Sequence, residues 1–129
     1  ARVEVDIRVA RLKDAPALDR KFHALKAVDK RCRVEVTGGL NRPPMERTAA
    51  VVRLFQQAKE LAASLGVEIE ESATGGGSDG NFTAALGIPT LDGLGGVGEG
   101  AHASNESILV NRIADRTALL ALLAAGRLA

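Results

Sequence analysis

Between positions 3 and 9 apolar and charged side chains alternate strictly, with Val3, Val5, Ile7 and Val9 on one face and Glu4, Asp6 and Arg8 on the other. That period predicts a half-buried strand. Asp14 then offers an N-cap and Pro16 suits a first helical turn, while Leu18, Phe22, Leu25 and Val28 recur along one helical stripe. Alternation returns over 33–37 through Val34 and Val36, so the opening segment predicts strand, helix, strand, a crossover that returns to one sheet. The run Gly38-Gly39-Leu40-Asn41-Arg42-Pro43-Pro44 stops the pattern and predicts a turn or linker.

The clearest helix spans 46–65, where Val51, Leu54, Phe55, Ala58, Leu61, Ala62 and Leu65 share a face and Gly66 supplies the stop. A short strand at 67–71 follows through Val67 and Ile69, then glycines at 75–77. A short helix is predicted at 81–86, ended by Gly87 and Pro89, and a further strand at 90–94. Beyond the glycine-rich stretch 95–100, residues 111–125 predict a closing helix built on Ile113, Leu119, Leu120, Leu122 and Leu123. The whole is a mixed α/β chain without internal repeats.

Composition narrows the picture. A chain of 129 residues that is 46% hydrophobic is long and apolar enough to hold its own core, without a disulfide or structural metal. With 17 basic against 16 acidic residues and no basic block, neither a nucleic acid nor a membrane surface is indicated as a partner. No run approaches a membrane span or a secretory signal, and the lone Cys32 fits a reducing compartment, so a cytoplasmic location is expected. The chain opens inside a predicted strand and without methionine, which reads as a fragment or a processed product.

Polar clusters sit in three loops: Asn41-Arg42, the stretch Gly75-Gly76-Gly77-Ser78-Asp79-Gly80-Asn81, and His102 to Glu106. Each abuts a predicted strand, where α/β folds tend to place binding groups. Consecutive glycines let a ligand approach the backbone, and N–H groups entering a helix favour an anion such as a carboxylate. A tight turn with Asp79 or Ser78 capping the next helix accounts for the same residues. Phosphate-loop and dinucleotide spacings are absent. Arg42, stiffened by two prolines, is suited to bidentate carboxylate binding, although a solvated surface arginine has the same appearance. His102 lies among small residues and is accessible to a metal or a substrate, with Glu106 or Glu99 near enough in sequence to orient its ring; a solvent-exposed histidine is the plainer reading. His23 reads as a surface helix residue.

In order along the chain, Val36-Thr37-Gly38-Gly39-Leu40-Asn41-Arg42-Pro43, Thr74-Gly75-Gly76-Gly77-Ser78-Asp79-Gly80-Asn81-Phe82, Gly87-Ile88-Pro89-Thr90 and Gly100-Ala101-His102-Ala103-Ser104-Asn105-Glu106 resemble the zinc aminoacylase and carboxypeptidase metallopeptidase family. Glutamate carboxypeptidase, acetylornithine deacetylase and succinyl-diaminopimelate desuccinylase are members. The resemblance covers nearly the whole chain, and its most specific element is the Gly-Gly-Gly-Ser-Asp-Gly loop followed at this separation by Gly-Ala-His-x-x-Asn-Glu.

The resemblance implies a zinc-dependent hydrolase of amide or peptide bonds in N-acyl amino acids or peptides bearing a free carboxylate. Residues 1–37 would belong to a lid and dimerisation subdomain, 38–44 to a hinge, and 45–129 to the carboxy-terminal part of the catalytic domain. His102 would be a metal ligand, Arg42, Gly75 and Gly76 would hold the substrate carboxylate, and a homodimer would form through the lid. Two zinc ions and a glutamate base complete such enzymes, and most of those ligands and the base have no counterpart here. The expectation is a carboxy-terminal portion that is inactive alone, carries no catalytic residue of its own and offers at most a partial zinc site. Two other classes fit less of the pattern: a non-catalytic homodimerisation module and a small carboxylate-binding α/β protein.

Overall fold

A computed structural model describes residues 1–126; positions 127–129, the end of the expected 45–129 segment, lie outside the described residues. The chain divides into two units, one made of Ala1–Glu46 with Thr74–Ile88, the other of Arg47–Ala73 with the stretch from Pro89 on.

In the first unit, helix α1 (Ala15–His23) follows a short helical turn at Leu12–Asp14 and carries Pro16 in its first turn. Asp14 holds the N-cap position but does not cap, because its carboxylate pairs with Arg11 at 2.9 Å instead. The helix stops at His23, short of the predicted stripe, and Leu25 and Val28 lie exposed beyond it. No residue of α1 is buried, and a helix without a buried face gains too little from packing to extend. The predicted strands at 3–9 and 33–37 are not formed: neither pairs with a described segment, and Val3 and Val5 are 81% and 60% exposed. Alternation marks which side chains share a face, but a strand exists only through a ladder with a neighbour. The expected return crossover is therefore absent among the described residues. Helix α3 (Gly80–Ala85) matches the predicted short helix to within a residue.

The second unit is built on α2 (Ala49–Ser64) and α4 (Ile113–Ala125), both close to expectation. Thr48 caps α2 by accepting from the Val51 N–H at 3.2 Å. At the other end Gly66, at φ 71, lets the Val67 and Gly66 N–H groups reach back to the carbonyls of Ala62 and Ala63, the paired closure of a left-handed helix stop. The small buried Ala58 and Ala62 let α4 pack against α2, and Leu119, fully buried, joins Ala62 and Val67 to form the core, with Leu61, Ile69, Leu94 and Leu123 around it. The predicted strands at 67–71 and 90–94 contribute these side chains without forming a ladder.

The paired strands among the described residues are elsewhere. Strand β1 (Gly98–Glu99) pairs antiparallel with β2 (Ser107–Ile108), placing Gly98 opposite Ile108 and Glu99 opposite Ser107. Helices with a small antiparallel sheet are consistent with the mixed α/β class, although the sheet is antiparallel and not the crossover sheet expected. No helix among the described residues is long and apolar enough to cross a membrane.

Candidate functional site

The predicted site residues fall in the two units, and each group has its own construction. In the first unit the glycine loop and the Arg42 segment come together. Asn81, in the first turn of α3, is buried; its Nδ2 donates to the Pro43 carbonyl at 2.6 Å and its Oδ1 accepts from the Ser78 N–H at 2.9 Å. The Arg42 guanidinium lies 5.0 Å over the Phe82 ring and 3.6 Å from the Asp79 carboxylate. Gly77 faces the same guanidinium so closely that an added Cβ would stand 2.6 Å from Arg42 Nη1. Glycine is required there for close approach.

The other two glycines are held from different sides. The Gly75 carbonyl accepts from Arg8 Nη1, and the Gly76 N–H donates to Thr74 Oγ1 at 3.2 Å. Ser78, one of the two expected caps, accepts from the Gly80 N–H through its Oγ at 3.1 Å. Asp79 makes no cap bond and turns to Arg42 instead. Its carboxylate is 98% exposed, so the ion pair is a loose one that another carboxylate can replace. Sequence reasoning gave no role to Asn81, Phe82 or Arg8.

In the second unit His102 rides on the loop that joins β1 to β2. The Ala103 N–H returns to the Gly100 carbonyl at 2.8 Å and the Glu106 N–H to that of Ala103 at 3.1 Å, so the loop is two successive turns. His102 sits at φ 67, the one non-glycine residue in the left-handed region among those described. Histidine is among the side chains tolerated there, at a cost on the order of 1 kcal/mol that the surrounding turns must offset. Glu106 meets His102 through the backbone, its Oε2 accepting from the His102 N–H at 3.4 Å, and not through the ring. A shallow depression of about 120 Å³ beside the loop is lined by Glu99, Ala101, Glu106 and Ser107 among others. Gly98 is fixed by its partner strand: a Cβ there would collide with the Ser107 carbonyl oxygen.

A family model described as Peptidase family M20/M25/M40 matches residues 3–126. The chain belongs to this family. No curated protein and no solved structure matches it. Membership in a peptidase family supports a hydrolase reading, and the matched span takes in both the Arg42 and the His102 loops. The two zinc ions that the motif resemblance implies are a separate matter. Zinc takes about four ligands. Among the described residues no three His, Cys, Asp or Glu side chains come together as a metal-binding group, so these residues do not by themselves fit such a site.

Proposed function

We propose that this chain is the carboxy-terminal part of a zinc-dependent amide hydrolase of the carboxypeptidase or deacylase type, acting on N-acyl amino acids or peptides with a free carboxylate. Residues 1–37 belong to its lid, 38–44 to a hinge and the remainder to its catalytic part. Arg42, with the backbone of Gly75 and Gly76, holds the substrate carboxylate, the Gly76 amide being shared with Thr74. His102 contributes one imidazole toward metal, and the remaining ligands and the general base come from outside the described residues.

The observation that carries this reading is the seating of Arg42. A guanidinium stacked on Phe82, pressed against a side-chain-free Gly77 and only loosely paired with the exposed Asp79 is a preformed set of N–H donors for a carboxylate that takes the place of Asp79. Support at the level of family comes from the peptidase match. In the intact parent enzyme, Arg42→Ala is expected to raise KM for a carboxylate-bearing amide by about 10- to 150-fold, the equivalent of losing ~1.5–3 kcal/mol of charge-assisted hydrogen bonding. An unchanged KM would remove Arg42 from the site.

The exposed apolar side chains Val3, Val5 and Ile7 favour a second element of the same reading, a homodimer in which 3–9 pairs with its copy as an edge strand. Light scattering coupled to size-exclusion chromatography is expected to give twice the chain mass. A strictly monomeric mass at every concentration counts against it.

A further inference from the structure

We propose that Asn81 is a positioning residue for carboxylate recognition, its side-chain amide locking the Arg42 segment to the glycine loop. This rests on the reading of Arg42 as the carboxylate-binding group. Asn81 is the buried polar residue among those described, at 9% exposure. A buried amide is costly unless both of its ends are paired. Here both are, and in one orientation only: the Ser78 N–H is purely a donor, so it must meet Oδ1, and the Pro43 carbonyl is purely an acceptor, so it must meet Nδ2.

Each partner adjoins a group that defines the carboxylate pocket. Pro43 follows Arg42, and Ser78 follows Gly77, the glycine at which an added Cβ would meet the Arg42 guanidinium. A single amide thus ties backbone positions 38 apart in sequence, from Pro43 to Asn81, and sets the depth at which the guanidinium meets the glycines. Its neighbours act on the other end of the same side chain: Phe82 supplies the ring under Arg42 and Asp79 the carboxylate opposite it. Arginine loses much rotamer freedom on gripping a ligand, and a backbone already held in register lowers that loss. Removing the lock leaves the charge of Arg42 intact and takes away its placement.

Asn81→Asp removes the donor but adds a negative charge near Arg42 that also opposes an acid, so the uncharged Asn81→Ser is measured beside it and must show the same loss for the role to stand. Asn81→Asp keeps the size of the side chain and the acceptor for the Ser78 N–H, but sets a carboxylate oxygen against the Pro43 carbonyl where a donor stood. The test is a nitrogen-15 NMR titration of the whole protein with N-acetyl-L-alanine, using N-acetyl-L-alaninamide as the probe that lacks a carboxylate. In the unsubstituted protein the acid is expected to shift the amides of 75–77 and the Arg42 Nε–H, and the amide probe to leave them in place. Asn81→Asp is expected to weaken binding of the acid by about tenfold, the worth of one well-placed hydrogen bond. In the intact parent enzyme the same substitution is expected to raise KM and spare kcat, a split that a general loss of folded protein would not produce. Asn81→Ser, which loses the donor to Pro43 without adding charge, is expected to give the same weakening, and it also serves should Asn81→Asp fail to give a folded spectrum. Binding of the acid at unsubstituted strength in a folded variant overturns the proposal. Arg42→Ala separates the two readings. If it abolishes binding of the acid while the Asn81 variant binds normally, the positioning role alone falls. If Arg42→Ala also binds normally, the carboxylate reading falls and this proposal with it.

Discussion

Around Arg42 the contacts that fix the loop reach far along the chain. Asn81 bonds to Pro43, 38 positions away, and Arg8 bonds to the Gly75 carbonyl, 67 positions away. Around His102 they are local: two consecutive turns and a two-residue strand pair, all within 97–109. The first loop is a junction held by side chains, whereas the second is a hairpin held by its own backbone. Substitutions in the two should therefore fail differently, the hairpin through its fold and the junction through its fit to a ligand.

Equivalent glycine substitutions put that contrast to its largest test. Gly98→Ala drives a methyl into the Ser107 carbonyl of the partner strand, and backbone cannot step aside as a side-chain tip can. The expected cost is about 3 kcal/mol, the upper end for an overpacked position. Because the hairpin lies outside the cluster of Ala62, Val67 and Leu119, that cost opens the hairpin and spares the helices. Hydrogen exchange reads this directly: the Leu109 N–H, bonded to the Val97 carbonyl at 2.8 Å, loses protection while the amides of α2 keep theirs. Equal loss in both would mean that the hairpin is part of the core.

Gly77→Ala sharpens the other side. The atoms nearest its methyl are Nη1, Cδ and Cζ of the Arg42 side chain, of which the one in collision, Nη1, is a flexible end that can swing away, and Gly77 is not among the glycines with positive φ. Stability is expected to stay within about 0.5 kcal/mol of the unsubstituted protein, as for most surface changes. Carboxylate binding should nevertheless fall, because the guanidinium leaves its seat between Gly77 and Phe82. A melting midpoint that drops together with affinity would show that this loop, too, is structural.

The same contrast explains what could be read from the sequence. Helices α2 and α4 were legible because their apolar period, together with Gly66 as the stop of α2, is local information. The patterns at 3–9, 33–37, 67–71 and 90–94 predict strands because they report a shared face or a β-forming composition, but they do not report a partner. The strands that do form were missed, since Gly98, Glu99 and Ser107 carry no β propensity and their pairing depends on a glycine that admits the opposite carbonyl. Arg42 and His102 stood out through ordered motifs. Asn81 did not, because its importance lies in a bond to a residue far away in sequence, and an asparagine after Ser-Asp-Gly looks like any turn residue.

The smallest effect expected separates a long-range ion pair from a local one. Arg47 donates to both oxygens of Glu71, at 2.9 and 2.7 Å, across 24 positions, and this hydrogen bonding holds the Glu71 carboxyl below its ordinary value of about 4.5. A carboxyl depressed in the folded state lends stability that is present above its unfolded value and fades as pH falls through the folded one. The melting midpoint of Glu71→Gln should therefore lie below that of the unsubstituted protein at pH 7, and the gap should close as pH falls below about 4.5. Asp29 is depressed in the same direction by Arg31, yet this pair joins residues only two apart. The unfolded chain makes such a contact almost as well, so little of the shift becomes stability. Asp29→Asn is expected to leave the midpoint unchanged at either pH. A gap for Asp29→Asn as wide as that for Glu71→Gln would mean that sequence separation does not decide which exposed pairs count.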